Sequence, residues 1–135
     1  MNVTGEVAIH SLHDHVVSLV AQRWAKSFQC KVTINPGTER GGMPGLATDE
    51  ADIVGWQFSP AGNKVEWMAE VETEDSLTEG NRYRRWQAMS DQCVPFYLFV
   101  PRGYRAKVRQ LAGMAGVDLN GIYEYTFLNE TFQLS

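Results

Sequence analysis

Cysteine and long apolar runs are both scarce in this chain of 135 residues. Cys30 and Cys93 are the only two cysteines, and no C-x-x-C pair or Cys/His ladder connects them, so neither a disulfide framework nor a zinc finger is indicated. Apolar runs such as Val94 to Val100 are far shorter than the roughly 20 residues that a membrane-spanning helix needs. The N-terminus also lacks the basic, apolar and small-residue order of a secretory leader. We therefore expect a cytoplasmic protein that does not enter the membrane.

Several motifs of common enzyme classes are missing as well. The chain contains no G-x-S-x-G, no G-x-G-x-x-G after a strand and no G-x-x-x-x-G-K-[ST]. Serine hydrolase, dinucleotide-binding and P-loop chemistry therefore have little support.

An excess of basic residues is also lacking, since the net charge is −4. This value argues against strong nonspecific binding to nucleic acid, which depends on Lys and Arg. The charges are nevertheless segregated. Asp49 to Glu79 holds nine acidic residues and one lysine, a net of −8, whereas Arg82 to Arg109 holds seven basic residues and one aspartate, a net of +6. Either these blocks are two solvated faces, or a cation-binding centre is flanked by a surface that faces phosphates.

The length and the 44% hydrophobic content predict a single domain over residues 1–135. Hydrophobic periodicity predicts an α/β fold with the element order α-β-β-β-α-β-α-β. The predicted helices run from about Gly5 to Phe28, from Ser76 to about Asp91 and after Pro101, and the predicted strands are Cys30 to Ile34, Ala51 to Phe58, Val65 to Thr73, Val94 to Val100 and Ile122 to Phe127. Four Gly and two Pro predict a mobile loop at 36–49.

Carboxylates stand at positions of two predicted strands where apolar side chains would be expected. Asp52 enters an apolar strand, and buried strands rarely carry a carboxylate without a partner. Glu70 and Glu72 point to one face of the next strand, about 6.5 Å apart along it. A hairpin with its turn at 59–63 would bring all three toward one point. Because clustered carboxylates repel each other, this arrangement predicts a site for a hard divalent ion such as Mg²⁺ or Mn²⁺.

The spacing resembles that of the PD-(D/E)xK nuclease superfamily, in which an Asp near the start of one strand precedes a Glu-x-Glu on the next, here by 18 residues. The predicted elements from about residue 7 to 127 also follow that superfamily's core order. The resemblance implies a restriction-endonuclease-like core, with a mixed β-sheet flanked by helices. It further implies metal-dependent hydrolysis of DNA phosphodiester bonds.

The resemblance also implies roles for individual residues. Asp52 and Glu70 would bind the metal, and position 72 is where a Lys would orient or activate the attacking water. Glu72 stands there instead, so it would have to ligate a second metal ion or act as a general base. Otherwise the departure marks a catalytically degenerate domain that binds nucleic acid or protein.

In many members of the superfamily an acidic residue of the first helix, or a residue of the helix after the motif, completes the site. Gln87 on the second helix is the candidate catalytic residue of this kind, and Glu6 and Asp14 are candidates on the first helix. Competing interpretations are a solvated helix position for Gln87 and a carboxylate stabilised by the helix dipole for Glu6.

Arg82, Arg84 and Arg85 begin the helix that leads away from the carboxylates and are candidates for binding DNA phosphates. RNA as a substrate is left open. Solvated or ion-paired arginines are the alternative, and pairing of Arg84 and Arg85 with the acidic residues of 74–79 would favour a small-molecule or regulatory domain. A symmetric homodimer would help so small a domain to grip a duplex.

Three histidines, His10, His13 and His15, cluster beside Asp14 on the first helix. Helical spacing could place His10, His13 and Asp14 near one another, as in a zinc site. A fourth ligand would have to come from elsewhere, so partial burial or solvent exposure of these histidines is the alternative.

Overall fold

The computed structural model describes residues 5–28, 30–34, 51–78 and 82–135, together with their side chains except those of 5–11, 28 and 82. The helices in this part of the chain are α1 Gly5–Phe28, α2 Glu74–Leu77, α3 Arg82–Ser90 and α4 Arg105–Met114. The strands are β1 Lys31–Ile34, β2 Ile53–Ser59, β3 Gly62–Val71, β4 Phe96–Pro101, β5 Gly121–Leu128 and β6 Thr131–Leu134. Of these helices, none combines the length and the apolar character needed to cross a bilayer. The predicted loop at 36–49 lies outside the described residues.

One mixed sheet contains the six strands in the order β1-β2-β3-β4-β5-β6. Antiparallel pairing joins β1 to β2 and β2 to β3, whereas β3, β4 and β5 run parallel because helices connect them. The predicted α/β class and the β2–β3 hairpin are confirmed. The strand β4 lies inside the sheet, as its nearly continuous apolar sequence from Val94 to Val100 predicts. The strand β6 was not predicted. Its turn at Asn129 and Glu130, with φ of 52° and 64°, lacks the glycine that usually marks such a hairpin.

Two hydrophobic clusters cover opposite faces of the sheet. Met68 and Leu98 pack with α3 and α4, whereas their sequence neighbours Ala69 and Phe99 pack with α1. Successive side chains of a strand point to opposite faces, so α1 lies on one side of the sheet and α3 and α4 lie on the other.

The helix α1 buries a slightly different stripe from the one that helical spacing predicts, which consists of Ile9, Leu12, Val16, Leu19, Val20 and Trp24. Val16, Val20 and Trp24 are buried as expected, but Val17 is buried too, and Leu12 is 44% exposed. The buried arc therefore lies over the C-terminal half of the helix, where Trp24 makes edge contacts with aromatic rings of the sheet.

A bulge changes the predicted alternation in β3. Gly55 pairs with Trp67 but Trp56 pairs with Val65, so the register shifts between them. Val65 consequently packs on the α3–α4 side, although strict alternation predicted that it would point the same way as Trp67. Beyond the bulge the alternation holds, and it carries Glu70 to the face of Met68.

The chain after β3 forms two helices in place of the single predicted one. Thr73 is the N-cap of α2, and Thr73 and Ser76 exchange side chain to backbone hydrogen bonds of 2.8 and 3.2 Å. Ser76 therefore occupies the third position of α2 and does not cap α3. The order Ser76-x-x-Glu79 predicts a capping box at the start of the second helix, but Glu79 lies outside the described residues. Helical spacing predicts that Tyr83, Trp86 and Met89 are buried; Trp86 and Met89 are buried, whereas Tyr83 is 41% exposed.

Candidate carboxylate site

Asp52 and Glu70 lie side by side at the end of the β2–β3 hairpin. Ile53 pairs with Ala69, and one further step of this register sets Asp52 opposite Glu70. The backbone N–H of Val71 donates to Asp52 Oδ2 at 2.8 Å, and the carboxyl groups of Asp52 and Glu70 are close enough to shift each other's pKa. Asp52 is 4% exposed and Glu70 is fully buried. The hairpin thus joins the two carboxylates that the sequence spacing predicts to be neighbours.

Glu72 is also fully buried, but it has its own set of donors. Its Oε1 accepts a hydrogen bond from the Ser76 hydroxyl at 2.5 Å, and its Oε2 accepts one from the indole N–H of Trp86 at 2.9 Å. The Tyr125 hydroxyl donates to the Glu72 backbone carbonyl at 2.7 Å. Glu72 is close enough to raise the pKa of Glu70 by charge repulsion. The three carboxylates therefore form one electrostatic cluster, in which Ser76 and Trp86 donate to Glu72.

Two basic side chains, one from each helix layer, contact the carboxylate pair. His13 of α1 places Nε2 3.1 Å from Asp52 Oδ2 and Nδ1 3.1 Å from Asp14 Oδ1. Arg85 of α3 donates to Glu70 Oε2 from a terminal nitrogen at 2.8 Å and from Nε at 3.2 Å. These contacts supply the neutralising charge that buried carboxylates require.

The ionisation of the cluster follows from burial and from these pairs. Burial opposes the charge on His13, but its hydrogen bonds and attraction to Asp52 and Asp14 outweigh burial and raise the pKa of His13 to about 9. Burial also disfavours the ionised form of Asp52, yet hydrogen bonds from His13 and Glu70 hold the pKa of Asp52 below its usual range. Burial and the neighbouring Asp52 charge raise the pKa of Glu70 well above its usual range, and Arg85 opposes that rise. The pair therefore combines an ionised Asp52 with a Glu70 that keeps its proton to higher pH.

The other predicted site residues lie in different places. The Gln87 amide donates to the carbonyl of Ala115 at 2.8 Å, which ties α3 to the end of α4 and directs this amide away from the carboxylates. Arg84 is exposed on α3, and the side chain of Arg82 lies outside the described residues. Of the two candidate arginines whose side chains the structure describes, Arg85 is the one that contacts the carboxylate cluster.

The histidine-rich part of α1 shows a different arrangement from the zinc site that was considered. Both ring nitrogens of His13 face carboxylates, and the ring of His15 stacks on Phe127 with centroids 5.8 Å apart. The side chains of Glu6 and His10 lie outside the described residues. Among the side chains that are described, no three His, Cys, Asp or Glu residues are arranged to hold a metal ion.

The donor chemistry of the carboxylate cluster nevertheless suits a hard divalent ion. Carboxylate oxygens are the ligands that Mg²⁺ and Mn²⁺ prefer, and the cluster offers three carboxylates within one hairpin and its continuation. In the observed arrangement, oxygens of Asp52 and Glu70 are directed at His13 and Arg85. These residues therefore suit such an ion by their chemical type. To bind it, Asp52 and Glu70 would have to release His13 and Arg85.

Sequence reasoning missed how three residues serve this cluster. It assigned His13 to a zinc hypothesis and Trp86 to the core, and it considered Arg85 for phosphate binding or for pairing with the acidic residues of 74–79, not with Glu70. His13 is 39 residues from Asp52, and Trp86 is 14 from Glu72. Such contacts have no signature in local spacing, because they depend on how α1 and α3 pack against the sheet. The one available signal was the need of each buried carboxylate for a partner.

A groove of about 360 Å³ lies beyond Glu72, and Thr73, Arg102 and Tyr125 contribute to its walls. The three carboxylate side chains are not among the residues that line it. Tyr125 nevertheless connects it to the cluster through the hydrogen bond to the Glu72 carbonyl. The groove therefore borders the candidate site without opening onto the carboxylates.

Comparison of the chain with family models, with curated proteins and with solved structures finds no match.

Proposed function

We propose that this chain is a metal-dependent nuclease-like protein that hydrolyses DNA phosphodiester bonds on a restriction-endonuclease-like core. The observation that carries the proposal is the buried pair of Asp52 and Glu70, which the register of the β2–β3 hairpin sets opposite each other. The order of the elements supports it as well, since a long helix and three antiparallel strands precede helix-connected parallel strands.

Asp52 and Glu70 would hold Mg²⁺ or Mn²⁺ in this proposal. When bound, such an ion polarises a phosphoryl oxygen and lowers the pKa of water. The Val71 N–H fixes the position of Asp52. Ser76 and Trp86 fix the position of the Glu72 carboxylate. Glu72 is proposed as a second ligand or as the general base.

Arg82, Arg84 and Arg85 at the start of α3 are proposed to contact phosphates of the DNA backbone. Such contacts position a substrate without reading its sequence. The net charge of +6 over Arg82 to Arg109 supports this role, because a basic surface attracts the polyanion even when the whole chain is acidic.

The direct test is cleavage of plasmid and single-stranded DNA during titration with Mg²⁺ or Mn²⁺. Wild type should cut in the presence of either ion. Asp52→Ala should lower the rate of cleavage by more than roughly 100-fold. A loss of up to that size is expected when a residue that only hydrogen-bonds to a metal ligand is removed. Asp91→Ala, which removes an exposed carboxylate next to the end of α3, is the charge-matched control and should cut like wild type. The proposal fails if no divalent ion binds and no substrate is cut, or if Asp52→Ala cuts as fast as wild type.

A second candidate function is a catalytically degenerate domain that binds nucleic acid or protein. The observation in its favour is that His13 and Arg85 already neutralise the carboxylate pair, while position 72 lacks the lysine of the nuclease motif. Such a domain would bind its partner equally well in EDTA and in Mg²⁺. Gel-shift assays in the two buffers separate this function from the first, for which binding should strengthen with the ion.

A further inference from the structure

The strand β6 forms one edge of the sheet, so only one side of its backbone faces another described strand. In an antiparallel pair, residues that exchange backbone hydrogen bonds alternate with residues that do not. Ser135 exchanges both bonds with Glu124, at 2.8 and 2.9 Å, which sets this alternation for β6. The N–H and C=O groups of Phe132 and Leu134 therefore point away from β5, and they make no hydrogen bond within the part of the chain that the structure describes.

Apart from its short length, β6 lacks the features that usually protect an exposed edge. Natural edge strands commonly carry a charge, a proline or a bulge, each of which hinders pairing with another chain. Thr131 to Ser135 contains no charged residue and no proline, and its pairing with β5 is regular. The strand β1 at the opposite edge, in contrast, begins with the exposed Lys31. The edge at β6 is therefore suited to receive a further strand by β-augmentation.

The charges at the two ends of β6 are opposite in sign. Glu130 precedes the strand, is exposed and makes no ion pair with any described residue. At the other end, the guanidinium of Arg105 donates to the backbone carbonyls of Ile122 and Ser135, which do not neutralise its charge. Two copies of β6 in antiparallel orientation would bring Glu130 of one copy to the end where Arg105 of the other copy lies. This complementarity favours a second copy of the chain as the strand that is added.

We infer that β6 pairs with β6 of a second copy in antiparallel orientation, around a two-fold axis at Gln133. With Gln133 opposite itself, Phe132 of each copy lies opposite Leu134 of the other. These two residues then exchange the backbone hydrogen bonds that they otherwise make with water. Their side chains, both partly buried on the α1 side of the sheet, form apolar pairs across the axis.

This interface uses the same surface on both copies, as the contacts of two-fold dimers do. Strands as short as β6 bury little area when they pair, so the association is reversible and depends on concentration. The inference goes beyond the proposed nuclease function and does not depend on it.

Sedimentation velocity over a dilution series tests the association. Wild type should pass from monomer to dimer as its concentration rises. Leu134→Pro removes the N–H that points away from β5 and leaves the donors to β5 intact, whereas Leu134→Ala shortens the same side chain and keeps this N–H. Because both copies lose a donor, the association constant of Leu134→Pro should be roughly 30-fold lower than that of Leu134→Ala. A wild type that is monomeric at every concentration, or equal association of the two variants, would overturn the inference.

An introduced cysteine tests the register and covers the case in which Leu134→Pro does not fold. In a chain that carries Cys30→Ser and Cys93→Ser, Gln133→Cys should place two thiols across the axis at a Cα distance of about 4.5 Å. This distance lies within the range of disulfides, so oxidised glutathione should produce a covalent dimer. Thr131→Cys in the same background should place its two Cα atoms roughly 14 Å apart and give no cross-link. If Gln133→Cys cross-links no faster than Thr131→Cys, the proposed pairing is wrong.

Discussion

The contact between His13 and Asp52 should make the stability of the protein depend on pH in a defined direction. The pKa of His13 rises from 6.5 to about 9 on folding, so the folded state holds this proton more tightly than the unfolded state. The resulting stabilisation is fully present below pH 6.5 and is lost as the pH rises through about 9. Since one pKa unit corresponds to about 1.4 kcal/mol, the loss amounts to about 3 kcal/mol.

The lowered pKa of Asp52 reports the same contact and adds nothing to this amount. Glu70 contributes separately: its raised pKa also favours the protonated folded state, so its stabilisation is likewise lost as the pH rises. For this reason the difference between wild type and a His13 variant is the informative quantity.

Urea unfolding in EDTA at pH values from 6 to 9.5 measures this difference. Wild type should lose stability across the range, and His13→Gln should lose about 3 kcal/mol less over the same interval. His15→Gln, which alters a neighbouring histidine whose ring stacks on Phe127, should follow the wild-type curve. If His13→Gln shows the same pH dependence as wild type, His13 is not protonated by its contact with Asp52, and the charge balance described for the site is wrong.

Two further predictions concern stability and can be checked by chemical denaturation. Trp86→Phe keeps most of the buried ring but removes the indole donor to Glu72 Oε2, and it should lower the free energy of unfolding by about 1.5 to 3 kcal/mol, whereas Tyr83→Phe on the exposed face of α3 should change it by less than about 0.5 kcal/mol. A loss from Trp86→Phe no larger than that from Tyr83→Phe would refute the role of the indole. Gly55→Ala would set a Cβ 2.2 Å from Trp67 Cε2 and should cost about 1 to 3 kcal/mol. Gly113→Ala in α4, where a Cβ has no neighbour within 4 Å, should raise the free energy of unfolding by about 0.5 to 1 kcal/mol. The packing argument fails if the two substitutions have the same effect on stability.

Most of the secondary structure was predictable from the sequence because it is encoded locally. The bounds of α1 and the strand character of β2, β3 and β4 follow from hydrophobic period and from turn residues. The secondary-structure predictions were wrong where the local sequence signal is weak. The turn before β6 has no glycine, the break between α2 and α3 has no proline, and the bulge that moves Val65 has no marker of its own.

The candidate site was predictable in part for the same reason. Asp52 and Glu70 belong to one hairpin, so their adjacency follows from strand pairing once the turn at 59–63 is recognised. The hydrogen-bond partners of Glu72 were not predictable, because Trp86 comes from α3 and Ser76 from the first turn of α2. The metal chemistry inferred from these carboxylates stays a prediction.

The sequence by itself determined that three carboxylates would lie in and just beyond one strand pair of an α/β domain, since alternation and turn chemistry act over a few residues. Only the tertiary structure decided which charges balance them. His13 and Arg85 come from helices on opposite faces of the sheet, 39 and 15 residues from the carboxylates that they contact. Their contacts with the carboxylates depend on how both helix layers pack against the sheet. The whole core sets that geometry, and no single segment does.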